Sequence, residues 1–114
     1  MADNCEPAYL YLATTGRRSG QPREIEIWFT RRHGFYYVIA EFTTSHWVQN
    51  LLVTPRVEVR LGDQRFSAMA RIISADTEPQ LSATVQQLSR EKYGWGEGLV
   101  VELRPEIGSP ASSG

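Results

Sequence analysis

Residues 23–30 read REIEIWFT, with apolar and polar side chains in turn. A period of two belongs to a strand with one face buried. Ile25, Ile27 and Phe29 share one face, while Glu24, Glu26 and Trp28 share the other. A slip of one residue would turn the isoleucines to water, so the register of this strand is strongly specified. Its partner lies just upstream. Residues 8–15 (AYLYLATT) are rich in strand formers and stop at Gly16. Between the two runs lies Gly16-Arg-Arg-Ser-Gly20-Gln-Pro22, with turn residues at both ends. The two strands therefore form a hairpin across a basic loop.

The rest of the chain continues in this way. A turn over residues 31–34 leads to FYYVIAE (35–41), apolar on both faces and so expected to be a central, buried strand. Thr43, Thr44 and Ser45 offer capping oxygens to a short helix over 46–52, with Trp47 and Leu51 on one face and Thr54-Pro55 at its end. Val57, Val59 and Leu61 alternate with Glu58 and Arg60, Gly62-Asp63 makes a tight turn, and residues 65–74 form a longer strand. Thr77-Glu-Pro-Gln80 fits a capping box for a second helix carrying Leu81, Val85 and Leu88 and ending near Gly94. LVVEL (99–103) is the last strand. The expectation is a mainly β chain with two short helices: a six-stranded antiparallel barrel, in which closure removes exposed sheet edges. Residues 8–105 are expected to form the one domain, with a flexible N-terminus over 1–7 and a disordered Gly/Ser/Pro-rich tail over 106–114.

A chain of 114 residues is the size of one domain. A net charge of −1 gives no global field toward nucleic acid or an acidic membrane, so any anion site must be local. The single cysteine, Cys5, can form no internal disulfide, and no Cys/His cluster has metal-ligand spacing. No signal peptide or membrane anchor is recognised, which makes a cytoplasmic location the expectation.

The loop is the one place where such an anion site is legible. Arg17, Arg18 and Arg23 can grip phosphate or carboxylate oxygens in pairs. Ser19 and its neighbours could add a hydroxyl and backbone N–H donors, and Gly16 and Gly20 allow close approach. The alternative is a solvated hairpin loop, and nucleic acid would need a wider basic stripe. Trp28 either packs in a dimer interface or lines a cofactor groove. Trp47 suits core or interface as well as a ligand contact, and Asn50 is read as a cap or brace for the following strand. Ser45 and His46 stand at a helix N-terminus that favours anions, or are a plain cap and an exposed histidine. Tyr93 and Trp95 either close over a substrate or stabilise a dimer. No catalytic triad, paired acid/base carboxylates or metal motif is recognised.

The run LATTGRRSGQPREIEIWF, followed by Trp47-x-x-Asn50-Leu51, Pro55-Arg-Val57 and Ala70-Arg-Ile72, resembles the deazaflavin (F-420)-dependent nitroreductase family. That family has a split β-barrel fold of the FMN-binding, pyridoxamine-phosphate-oxidase-like kind. The resemblance implies a homodimer with cofactor grooves near its interface. It also implies hydride transfer from reduced coenzyme F-420 to a quinone, nitroaromatic or enone, with FMN as the alternative cofactor. Arg17, Arg18, Ser19 and Arg23 would then hold the cofactor's anionic part, while Gly20, Gln21 and Pro22 shape the turn. The cofactor's ring would lie near Trp28 and against the loop leading to Trp47, and Ser45 would contact the cofactor from the helix N-terminus. The stretch over residues 41–46 departs from the family pattern, being shorter and without Gly or Lys. A non-catalytic flavin-, deazaflavin- or haem-binding protein of the same fold is therefore the second reading.

Overall fold

The computed structural model describes residues 7–106. Cys5, and the tails expected at 1–7 and 106–114 apart from Pro7 and Glu106, lie outside the described residues. The elements in chain order are β1 (Tyr9–Thr15), β2 (Pro22–Trp28), β3 (Thr30–Arg32), β4 (Phe35–Ala40), α1 (His46–Val53), β5 (Arg56–Leu61), β6 (Gln64–Ile73), α2 (Pro79–Tyr93) and β7 (Leu99–Pro105). All strands join one antiparallel sheet in the order β2-β1-β5-β6-β7-β4-β3.

The sheet has seven strands rather than the expected six, and the reason lies at Phe29. The run expected as one strand over 23–30 is divided there: β2 pairs with β1, and after one residue β3 pairs with β4. Strands β2 and β3 are the two ends of the sheet order, yet Phe29 alone separates them in sequence. The sheet must therefore curl until its edges meet at Phe29, which makes it a split barrel.

A residue that leaves one ladder for another must satisfy its backbone elsewhere. The hydroxyl of Tyr93, in the last turn of α2, accepts a hydrogen bond from the Phe29 N–H at 3.2 Å. Its one proton is shared between the carbonyls of Phe29, at 2.8 Å, and Ala8. Lys92 Nζ donates to the same Phe29 carbonyl at 3.1 Å and lies over the Phe29 ring. The ring itself is 1% exposed and fills the barrel.

Two cores result. Inside the barrel, Leu10, Leu12, Phe29, Val38, Val57, Val59, Val101 and Leu103 pack together with Leu51 of α1. On the outer face, α2 sets Val85 and Leu81 against Tyr37, Ile39, Ile73 and Val100. Strand β4 serves both cores, which accounts for its apolar residues on both faces.

The expected capping box at Thr77 does not form. The N-cap of α2 is Glu78 and makes no side-chain cap bond. Its carboxylate is instead drawn to Arg71, which also bonds the buried Glu102 at 3.2 Å. Tyr37 donates to the other Glu102 oxygen at 3.0 Å.

Replacing Tyr93 with Phe keeps the ring but strands the Phe29 N–H, while Lys92 still serves the Phe29 carbonyl. The expected cost is about 1–3 kcal/mol in urea denaturation. Burial and the Glu102 carboxylate push the Tyr37 phenol up to about 12 from an ordinary 10.0. The unfolded phenol ionises first as pH rises. The stability from this group is therefore whole below pH 10.0 and is lost toward about 12. Tyr37→Phe should flatten that part of an alkaline stability profile.

Candidate functional site

The β1–β2 turn has a fixed shape. The Gly16 N–H donates to the Gln21 carbonyl, and the Gly20 N–H to the Gly16 carbonyl, both at 2.8 Å. The Gln21 N–H donates to Ser19 Oγ at 3.1 Å. A Cβ at position 16 would stand 2.8 Å from Ser19 Oγ, and Gly20 has φ +72°. Both glycines are thus required by the turn itself.

Helix α1 holds the turn from below. Asn50 is 3% exposed. Its Oδ1 accepts from the Arg17 N–H at 3.2 Å and from Arg17 Nη1 at 2.8 Å. Its Nδ2 donates to Thr14 Oγ1 at 3.2 Å. One buried amide therefore ties strand, turn and helix together. On the other side of the guanidinium, Arg17 Nη2 lies 3.4 Å from His46 Nδ1, a spacing suited to a bond into a neutral imidazole.

These residues enclose a cavity of about 450 Å³, lined by Gly16, Arg17, Arg18, Ser19, Arg23, His46 and Asn50. No carboxylate is among them. Arg18 and Arg23 make no ion pair or side-chain hydrogen bond among the described residues. The cavity is therefore strongly electropositive in a protein of net charge −1.

The expected site residues divide into groups. Arg17, Arg18, Ser19 and Arg23 come together around this cavity. Gly20, Gln21 and Pro22 do not line it and act through the turn's shape. Some of the turn's backbone donors are committed: the N–H groups of Gly16, Arg17, Gly20 and Gln21 all bond within the protein.

Trp28, Ser45 and Trp47 line a second cavity of about 630 Å³, with Phe42 and Trp95. Ser45 occupies the N-cap position of α1 but makes no side-chain cap bond. Because Ser45, His46 and Trp47 are consecutive, the first turn of α1 borders both cavities. Trp28 is 46% exposed and stacks on Tyr93, centroids 4.5 Å apart and planes within 2°. Trp47 packs against the barrel core and also lines this second cavity.

Sequence reasoning read Asn50 as a cap or brace for the following strand; the structure makes it a brace for Arg17 and β1. Its signal was a polar residue three positions from Trp47 on the buried side of a short helix. His46, one of two readings in sequence, is placed in the basic cavity. Among the described residues, no group of three His, Cys, Asp or Glu could hold a metal ion. No helix among them is long and apolar enough to cross a membrane.

Comparison with known proteins gives consistent results. The family model for F420H(2)-dependent quinone reductase matches residues 4–96. The F420H(2)-dependent quinone reductase of Mycobacterium tuberculosis is 32% identical over 69 residues, 57% of this chain and 46% of the relative. The chain thus spans about half the length of the curated relatives it matches. Among solved structures, the haem storage protein HutZ from Vibrio cholerae aligns at TM-score 0.73 and 22% identity, over 89% of this chain and 83% of its own. An F420-H2 dependent reductase aligns at TM-score 0.72 and 19% identity, over 91% of this chain and 100% of its own. A candidate pyridoxamine 5′-phosphate oxidase from Listeria innocua aligns at TM-score 0.65 and 13% identity, over 89% and 86%. These likenesses establish the split-barrel fold.

The brace gives a direct expectation. Asn50→Ala leaves Thr14 and Arg17 without their shared partner. It should cost about 1–3 kcal/mol in chemical denaturation. It should also weaken inorganic phosphate binding, read by calorimetry.

Proposed function

The chain belongs to the F420H(2)-dependent quinone reductase family, and from that premise we propose that it is a deazaflavin-dependent reductase. It transfers hydride from reduced coenzyme F-420 to an electron-poor small molecule: a quinone, a nitroaromatic or an enone. The observation that carries this reading is the basic cavity at the β1–β2 turn, with Arg17 held in place by a buried amide.

The residues present fit the cofactor. Three arginines and no carboxylate suit its anionic part, and the neighbouring aromatic cavity suits a planar ring. Arg17, Arg18, Ser19 and Arg23 bind the anionic groups. Asn50 fixes Arg17 before binding, so that little side-chain freedom remains to be lost. Trp28, Ser45 and Trp47 bound the ring's place, and Tyr93 holds the Trp28 plane from behind. His46 takes a position beside the clamp that partly offsets the short stretch over residues 41–46. When bound, the reduced cofactor supplies a hydride, two electrons with one proton, and a second proton from water completes the hydroquinone of a quinone acceptor. The protein's contribution is orientation, exclusion of water and electrostatics.

We assign the same chain a homodimeric state and a cytoplasmic location. Support for the dimer comes from the exposed Leu52 and Val53 at the end of α1, at 57% and 64%, and from a structural neighbour described as a domain-swapped dimer.

Fluorescence titration tests the reading. Coenzyme F-420 should bind at micromolar concentration or tighter. Arg17→Ala with Arg18→Ala should weaken binding by about tenfold or more while the fold survives. Unchanged affinity would move the anion site elsewhere. Preference for FMN would change the cofactor. Tight binding without turnover of any acceptor would favour the non-catalytic binding protein.

A further inference from the structure

The two cavities that meet at the first turn of α1 carry opposite charge. The turn cavity has three arginines and no carboxylate. The aromatic cavity has two carboxylates, Glu26 and Glu41, and no lysine or arginine among its lining residues. Both carboxylates are exposed at its rim, and Trp28, Phe42, Trp47 and Trp95 supply its aromatic surface. Glu26 stands on β2 beside Trp28's own neighbour Ile27, across the sheet from Tyr11. Its charge is felt nearby, since it is the main cause that raises the Tyr9 phenol. Glu41 follows β4 directly, in the stretch where this chain has neither Gly nor Lys.

We infer that the aromatic cavity selects acceptors by charge, taking neutral or cationic planar rings and rejecting anionic ones. Aromatic faces attract cations through their quadrupole. Carboxylates within a Debye length attract a cationic substituent and repel a sulfonate or carboxylate. The basic cavity cannot cancel this preference, because on the reading above its arginines are neutralised by the cofactor's anionic part. The inference rests on that reading for the word acceptor, but the charge selection belongs to Glu26 and Glu41 themselves.

Three naphthoquinones that differ in one side arm, neutral, trimethylammonium or sulfonate, provide the test. The full-length protein is used in its natural assembly, so any contribution from a second copy is included. Calorimetric titration with saturating oxidised coenzyme F-420 present, so that the arginines of the turn cavity are occupied, gives the three affinities. The trimethylammonium compound should bind at least about tenfold more tightly than the sulfonate at low ionic strength, with the gap shrinking in about 0.5 M salt. Glu26→Gln with Glu41→Gln should bring the two within about twofold. Equal binding of cation and anion, or a preference that survives in the double variant, overturns the inference. Turnover of the neutral quinone with reduced F-420 separates the two failures. Turnover with charge-blind binding removes the inference and leaves the reductase reading intact. Charge-selective binding without turnover removes the reductase reading and leaves the selection intact.

Discussion

The closure at Phe29 is the constraint on which the rest depends. One strand leaves β1 and joins β4 within a single residue, and a split barrel follows from that exchange. The exchange is possible because Tyr93 and Lys92 take over the backbone groups that neither ladder can serve. The same strand carries Arg23 near one end and Trp28 at the other. The seam therefore sets the anion clamp and the aromatic wall relative to each other. The stacked pair of Trp28 and Tyr93 couples the wall to α2 as well.

The site has a second anchor in Asn50. Buried amides persist when every polar atom has a partner. Here Oδ1 serves Arg17 twice, and Nδ2 serves Thr14. An arginine in a surface turn ordinarily samples many rotamers, and this one is held by the helix beneath it. Arg18 and Arg23, the other two cations of the clamp, have no partner of their own among the described residues. The clamp thus combines one fixed guanidinium with two adaptable ones.

Much of this was legible in sequence because it depends on short-range patterns. The strand alternation, the glycine-bounded basic turn, the short helix after Ser45 and the twice-buried β4 all emerge at the expected places. The division at Phe29 was not legible, because the period of two runs straight through it. What changes is the neighbouring strand, a tertiary fact supplied by Tyr93, more than sixty residues away. The capping box failed because α2 starts one residue later than expected: Glu78, paired with Arg71 on β6, takes the N-cap place, which puts Thr77 and Gln80 out of register for a box. The backbone donors of the turn are partly committed, because the Gly16, Gly20 and Gln21 N–H groups hold its shape. Asn50 was found as a polar residue but not as a partner of Arg17, since their contact spans thirty-three positions.

The central claim is that the Gly16 turn and the first turn of α1 together form one cofactor site with an anionic end and a ring end. Residue-resolved amide and indole NMR shifts during titration with coenzyme F-420 test it most directly. The account predicts the largest changes at Arg17, Arg18, Ser19 and Arg23, at His46 and Asn50, and at the indole signals of Trp28 and Trp47. Saturating shifts confined to other surfaces, such as the cleft beside Arg32 and His33, would contradict it.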